Sequence, residues 1–212
     1  MSRPRRPTPA RNRRRTGPSA DEGELRIIGG DWRSRVLRFP DEGGVRPTPA
    51  RIRETLFNWL QFKVPGSRCL DLFSGSGVLG LEALSRGSRE VTFVDHTPAL
   101  ARALRDNLRK LGSEDGRVEC VDVQAFLQNR TGEHYDILFM DAPFHQGWLE
   151  LLIPLIEENG WIGTGSRVYL EYESDRVAPS VPARWHLHRQ KQAGQVTYAL
   201  YHIVDAQAGL SE

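Results

Sequence analysis

Asp71-Leu72-Phe73-Ser74-Gly75-Ser76-Gly77-Val78-Leu79-Gly80 decides how this chain is read. Cys69 to Phe73 reads as a buried strand, and Gly77 to Arg86 as a helix whose Leu79, Leu81 and Leu84 pack inward. The turn between them is a G-x-G-x-x-G, and Asp95 ends the next strand 20 residues after Gly75. By spacing, this meets the dinucleotide fingerprint. The glycines let a ligand approach the backbone, and an acid closing the second strand can accept hydrogen bonds from ribose hydroxyls. Asp71 changes the reading. A carboxylate at the end of the first strand repels a pyrophosphate and suits a cationic ligand that bears an amino acid. S-adenosylmethionine has an ammonium, a sulfonium and a ribose but no phosphate, so it fits better than NAD.

Outward from this turn, strand and helix alternate. Glu90 to Asp95 is a second strand, and Thr97-Pro98 caps a helix carrying Leu100, Leu104, Leu108 and Leu111. Arg117 to Val121 is a third strand, followed by a short helix over 123–129. Tyr135 to Met140 is a fourth, a helix covers 148–157, and a fifth strand lies near 168–172. Trp185 to Lys191 and Val196 to Val204 form an antiparallel pair turned at Ala193-Gly194. The pattern predicts an α/β fold: a doubly wound, mostly parallel seven-stranded sheet with a closing antiparallel C-terminal pair. Cys69 and Cys120 fall on the first and third strands and read as core residues too far apart for a disulfide.

The N-terminal part divides in two. Residues 1–22 read as a disordered Arg/Pro-rich tail, with seven arginines in the first twenty residues and no acid among them. It could bind phosphate electrostatically, be a solvated leader, or be a presequence. Residues 23–66 read as a small β-hairpin and helix extension contacting RNA, and 67–206 as the main domain. Gly29-Gly30 separates two apolar runs and suggests a hairpin or a looping pair of strands, Gly43-Gly44 opens a flexible segment, and Thr48-Pro49 starts a helix with Thr48 as its cap. Ile52, Leu56, Trp59 and Leu60 form that helix's buried stripe, with Arg51 and Arg53 off it.

The fourth strand ends in Asp141-Ala142-Pro143-Phe144. An exocyclic amine on a purine is a poor nucleophile. Asp141 and the carbonyl of residue 142 can hold its two hydrogens and aim its lone pair, and Phe144 offers a face for a flipped-out base. Asp71-Leu72-Phe73-x-Gly75-x-Gly77 resembles motif I of class I methyltransferases. The Asp141 loop resembles the (Asn/Asp)-Pro-Pro-(Tyr/Phe) motif of amine methyltransferases, with Ala142 in place of the first proline. That departure keeps the carbonyl and loses rigidity at residue 142. Asp122 reads either as a cap of the following helix or, by the family pattern, as an acceptor for the adenine amine.

Leu25-Arg26-Ile27-Ile28-Gly29-Gly30, Arg46-Pro47-Thr48 and Arg51 to Leu60 add a more specific likeness. Together with the two loops they resemble the bacterial 16S rRNA guanine-N2 methyltransferases of the RsmD family, from about Glu24 to about Val204. The resemblance implies a class I methyltransferase that uses S-adenosyl-L-methionine. Its target would be a guanine amine of the position-966 type, with 16S rRNA or the 30S subunit as partner. The expected catalytic residues are Asp141, Ala142, Pro143 and Phe144. Asp71, Phe73, Gly75, Gly77, Asp95 and Asp122 would hold the cofactor. Arg46, Thr48 and Arg53 would meet RNA, with Glu54 as a further candidate for holding the arginines or the cofactor.

Composition bounds the rest. The chain has 212 residues, 39% of them hydrophobic, enough for one core. It has no apolar run of membrane-spanning length, no apolar signal region and no metal-ligand grouping of its histidines. Two cysteines make neither a disulfide framework nor a zinc site, so a cytoplasmic setting is expected; a monomer without metal is the further expectation. Competing readings are adenine-N6 methylation of DNA or RNA, an RNA-binding ribosome-assembly factor with weakened catalysis, and an NAD oxidoreductase.

Overall fold

The computed structural model describes residues 22–42, 46–129 and 134–205. The Arg-rich tail and Gly43-Gly44 therefore lie outside the described residues, apart from Glu22, which already belongs to a strand. Strands β1 (Glu22–Arg26) and β2 (Val36–Pro40) form a two-stranded antiparallel sheet, and helix α1 (Ala50–Trp59) follows. Then come β3 (Arg68–Asp71), α2 (Val78–Ser85), β4 (Glu90–Val94), α3 (Pro98–Leu111), β5 (Gly116–Glu119), α4 (Val123–Gln128), β6 (Tyr135–Met140), α5 (Trp148–Glu158), β7 (Ile162–Glu173), β8 (Trp185–Ala193) and β9 (Val196–Ile203).

The last seven strands make one sheet in the order β5-β4-β3-β6-β7-β9-β8. The first five in that order run parallel, β9 is antiparallel to β7, and β8 is antiparallel to β9. This is the predicted architecture. Chain direction across the sheet reverses between β3 and β6, so the carboxyl ends of these two strands flank the crevice where such folds bind ligands. Central strands are buried on both faces, which is why Tyr135 to Met140 is an almost unbroken apolar run.

Each face has its own core. The β1–β2 pair, α1, α2 and α3 cover one face through Leu25, Ile27, Leu56, Leu81, Phe93, Leu104 and Tyr169. Helices α4 and α5 cover the other through Val123, Leu127, Leu152, Ile156, Leu170 and Tyr201. The N-terminal extension thus shares the main core. The Asn107 side-chain amide on α3 donates to the Arg38 carbonyl on β2 at 2.9 Å and reinforces that packing.

Several local expectations change. Around Gly29-Gly30 the chain forms a looping pair of strands and not a tight hairpin, since β1 ends at Arg26 and β2 starts at Val36. Gly30 has φ +73°, and a side chain there would lie 1.7 Å from the Ser85 carbonyl oxygen, because this loop presses onto the end of α2. Helix α1 begins at Ala50 with Pro49 at its cap position and no side-chain cap bond, so Thr48 does not cap it. Strand β7 extends to Ile162, well ahead of its apolar centre. Cys69 is buried, but Cys120 lies just past β5 and is exposed, so it is not a core residue; both are free thiols.

Candidate active site

Strand β3 delivers Asp71 into the crevice with 2% of its surface exposed. Its Oδ2 accepts from the Gly80 amide at 3.1 Å, so the carboxylate also ties β3 to α2. Asp71 has no ion pair among the described residues. Burial pushes its pKa up to about 7; the charges of Asp141 and Asp95 add to the rise, and the Gly80 bond opposes it. Gly75 (φ +49°) and Gly77 (φ +79°) turn the chain out of β3. A side chain on Gly80 would come within 2.2 Å of the Phe93 ring, so the third glycine serves helix–strand packing.

Asp95 is already engaged. Its Oδ2 accepts from the Gly75 amide and its Oδ1 from the Thr97 amide, each at 2.8 Å. The carboxylate therefore fixes the glycine turn, and each oxygen keeps a lone pair for a further donor. Asp122 is exposed and caps α4, with its Oδ1 accepting from the Ala125 amide at 3.0 Å. Phe73 is half-buried, its ring edge-on to Trp148 with centroids 5.5 Å apart. Trp148 is an aromatic wall that the sequence reading missed. It follows Gly147, which has φ +69°, at the start of α5.

Asp141 follows β6 directly, and its Oδ2 accepts from the Thr48 hydroxyl at 3.1 Å. Burial raises its pKa to about 6, against the pull of that bond. Ala142 is buried, Pro143 is exposed and Phe144 is half-buried. His145 has φ +62°, and its amide and Nδ1 both meet Glu173 Oε1, at 2.5 and 3.1 Å. On β7, Glu171 is 4% exposed and accepts from the Tyr169 hydroxyl at 2.7 Å. Burial, then the nearby Asp141 charge, pushes Glu171 well above the usual carboxylate range. The alternation Tyr169-Leu170-Glu171 marked the carboxylate's strand face. Nothing local showed that this face meets Asp141.

Asp71, Phe73, Gly75, Asp95, Asp122, Asp141, Ala142, Pro143, Phe144 and Trp148 border one cavity of about 880 Å3. Gly77 is buried behind it under Leu104. Arg46 is exposed at the rim of the cavity. Phe144 and Trp148 also border a second hollow of about 200 Å3, beside Glu171 and Glu173. The main cavity is large enough for a nucleoside-sized ligand. Its unpaired buried carboxylate at Asp71 calls for a cation, and the half-used Asp95 calls for hydroxyl donors. A ligand joining an ammonium to a ribose meets both demands.

Arg53 is placed otherwise than expected. It is 4% exposed and ion-paired with Glu82, which is fully buried. An arginine so enclosed does not reach RNA. Thr48 is likewise buried and faces Asp141, away from solvent. Glu54 is exposed, and the carboxylate that holds the arginine is Glu82. The available signal was one acid within the apolar octet Val78 to Ser85.

The chain matches the family model described as conserved hypothetical protein 95 over residues 25–202. It is 47% identical over 179 residues to ribosomal RNA small subunit methyltransferase D of Escherichia coli, covering 84% of this chain and 90% of that protein. The protein of the same name from Haemophilus influenzae is 41% identical over 183 residues, covering 85% and 94%. Among solved structures, yhhF from Escherichia coli superposes with a TM-score of 0.80 at 46% identity, covering 86% of this chain and 99% of that one. The matched span takes in both loops and the N-terminal extension, and on that ground the chain belongs to the RsmD family of methyltransferases.

Proposed function

We propose that this protein transfers a methyl group from S-adenosylmethionine to the exocyclic N2 amine of a guanine in 16S rRNA, of the position-966 type, on the 30S subunit. The observation that carries the reading is the shared cavity. Asp71 and Asp95, suited to a cationic nucleoside, line it together with Asp141 and Phe144, suited to an amine on a flat base. The relatives' names support rRNA as the substrate class.

The cofactor supplies an electrophilic methyl on a positive sulfur. Asp71 would hold its ammonium end, Asp95 its ribose and Asp122 its adenine amine. Phe144 stacks on the extruded base, for which unstacking costs a few kcal/mol. Asp141 and the Ala142 carbonyl accept the two amine hydrogens, so the nitrogen lone pair points at the methyl group. As the new N–C bond forms and the S–C bond breaks, the nitrogen carries a surplus proton. Asp141, with a pKa pushed up to about 6, is suited to receive it. Arg46 at the rim meets a phosphate, and the described part of the extension (residues 23–42 and 46–66) forms the RNA-facing shoulder.

The test is labelled methyl transfer to 30S subunits and to naked 16S rRNA lacking the modification, followed by nucleoside analysis. N2-methylguanosine supports the reading. N6-methyladenosine keeps the amine-holding loop and overturns the guanine assignment. Bound cofactor without transfer supports an assembly factor weakened at Ala142.

A further inference from the structure

Thr48 and Asp141 stand 93 positions apart in sequence, yet they are joined by a hydrogen bond at the centre of the site. Thr48 is the one side-chain donor to Asp141 among the described residues. Its backbone is held in turn, since Arg53 Nε donates to the Thr48 carbonyl at 2.9 Å. Arg53 Nη1 donates to the Arg26 carbonyl at 3.0 Å and pairs with Glu82. Glu82 also pairs with Arg86 and accepts from the Ile28 amide at 2.8 Å. A continuous polar line therefore runs from α2, the helix opened by the glycine turn, through α1 to the carboxylate at the end of β6.

We infer that Thr48 is a positioning residue for methyl transfer: its hydroxyl fixes Asp141 by one oxygen, and the buried Arg53–Glu82 pair holds Thr48 in place. This rests on the reading of Asp141 as the amine acceptor. A free carboxylate turns broadly about its last torsion. With Oδ2 held, Oδ1 is the oxygen left for the amine. Thr48 is not spent on its helix, whose cap position belongs to Pro49. Buried ion pairs are weak sources of stability, so an arginine placed here is better explained by what it orders. Its planar fork serves two carbonyls and a carboxylate together, which a lysine ammonium does with less directional control.

The same bond governs the charge on Asp141. The groups facing Asp141 are Asp71 from β3 and Glu171 and Tyr169 from β7. Arg46 lies on the rim of the same cavity. Two of these neighbours are carboxyls, which oppose ionisation, while the Thr48 hydroxyl favours it. Losing the hydroxyl should both loosen Asp141 and raise its pKa.

The experiment compares the full-length protein with Thr48→Val, which keeps the shape, and Thr48→Ser, which keeps the hydroxyl. Single-turnover methyl transfer is measured across pH. S-adenosylmethionine affinity is measured by calorimetry, and the Asp141 carboxyl is titrated by carbon NMR. Thr48→Val should lower kcat about tenfold to a hundredfold, the worth of a hydrogen bond to a charged group. Its acid limb and its Asp141 titration should move to higher pH, with cofactor affinity and KM for RNA within about twofold of wild type. Thr48→Ser should restore most of the rate. An unmoved Asp141 titration in Thr48→Val, equal losses in both variants, or a loss confined to KM would overturn the inference. The outcomes separate from those of the substrate reading. If wild type methylates another amine, the guanine assignment falls while the comparison stands on that amine. If wild type transfers nothing, the carboxyl titration still decides the role of Thr48.

Discussion

Asp71→Asn sets the cost of a buried charge against its use. Burial pushes the Asp71 carboxyl in the folded protein up to about 7, against 3.8 for an unburied aspartate. Between those values the folded protein binds more protons than the unfolded chain, so stability falls as pH rises through this window and levels off above pH 7. A difference of about 3 pH units corresponds to about 4 kcal/mol of cost, present in full above pH 7 and absent below pH 4. Asparagine removes the titration and keeps an oxygen for the Gly80 amide. Its amide hydrogens cost about 1–3 kcal/mol wherever the cavity leaves them unpaired. The difference in Tm between Asp71→Asn and wild type should therefore climb between pH 4.5 and 8. At about 2–4 °C per kcal/mol for a chain of this size, the climb is roughly 8–16 °C. Thermal scans of the ligand-free proteins across pH read it directly. Added S-adenosylmethionine should raise the Tm of wild type and leave the variant unmoved, because in the proposed function the charge that burdens the free protein is the one that receives the ligand. A Tm difference flat in pH would refute the reasoning. So would equal stabilisation of both proteins by the cofactor.

Arg53→Met leaves Glu82, fully buried, with Arg86 as its remaining cation, and should cost about 3 kcal/mol in a denaturant titration. Gly80→Ala drives a methyl against the Phe93 ring and should cost about 1–3 kcal/mol by the same measurement. Phe144→Ala should weaken transfer by about 1–3 kcal/mol of stacking while Phe144→Tyr keeps most of it, read as kcat/KM on 30S subunits. Ala142→Pro should retain or raise the transfer rate; an inactive variant would show that this loop does not share the geometry of its Pro-Pro relatives. Wild-type transfer should fall as pH drops through about 6, where Asp141 takes up a proton, and a pH–rate profile checks it.

The frame of this molecule was legible because its signals are local. The apolar run from Tyr135 to Met140 and the repeat of leucines on α3 each specify an element without reference to the rest of the chain. The glycine turn carried its own consequence, since an acid before it and an acid closing the next strand fall on one edge of any parallel sheet. These features also placed the cavity, and family membership removes the oxidoreductase reading. What stayed hidden depends on contacts between distant segments. Arg53 shares the buried face of α1 with Ile52, Leu56 and Phe57, and the acid that pairs with it, Glu82, comes from α2. Thr48-Pro49 has the composition of a helix start, but the chain uses the hydroxyl across the cavity. Cys120 follows a strand at the edge of the sheet, where one more residue is enough to leave the core. Glu171 sits in a strand whose pattern gave its face but not its neighbour, because β6 and β7 are joined through a helix.

The proposed function divides labour within one cavity, with Asp71 and Asp95 for the cofactor and Asp141 for the transfer. Asp141→Asn tests it most directly, with calorimetric binding of S-adenosylmethionine measured beside single-turnover methylation of 30S subunits. The account predicts affinity within about tenfold of wild type and a rate lower by about two to three orders of magnitude. Affinity and rate falling in parallel, or a variant that methylates at the wild-type rate, would contradict it.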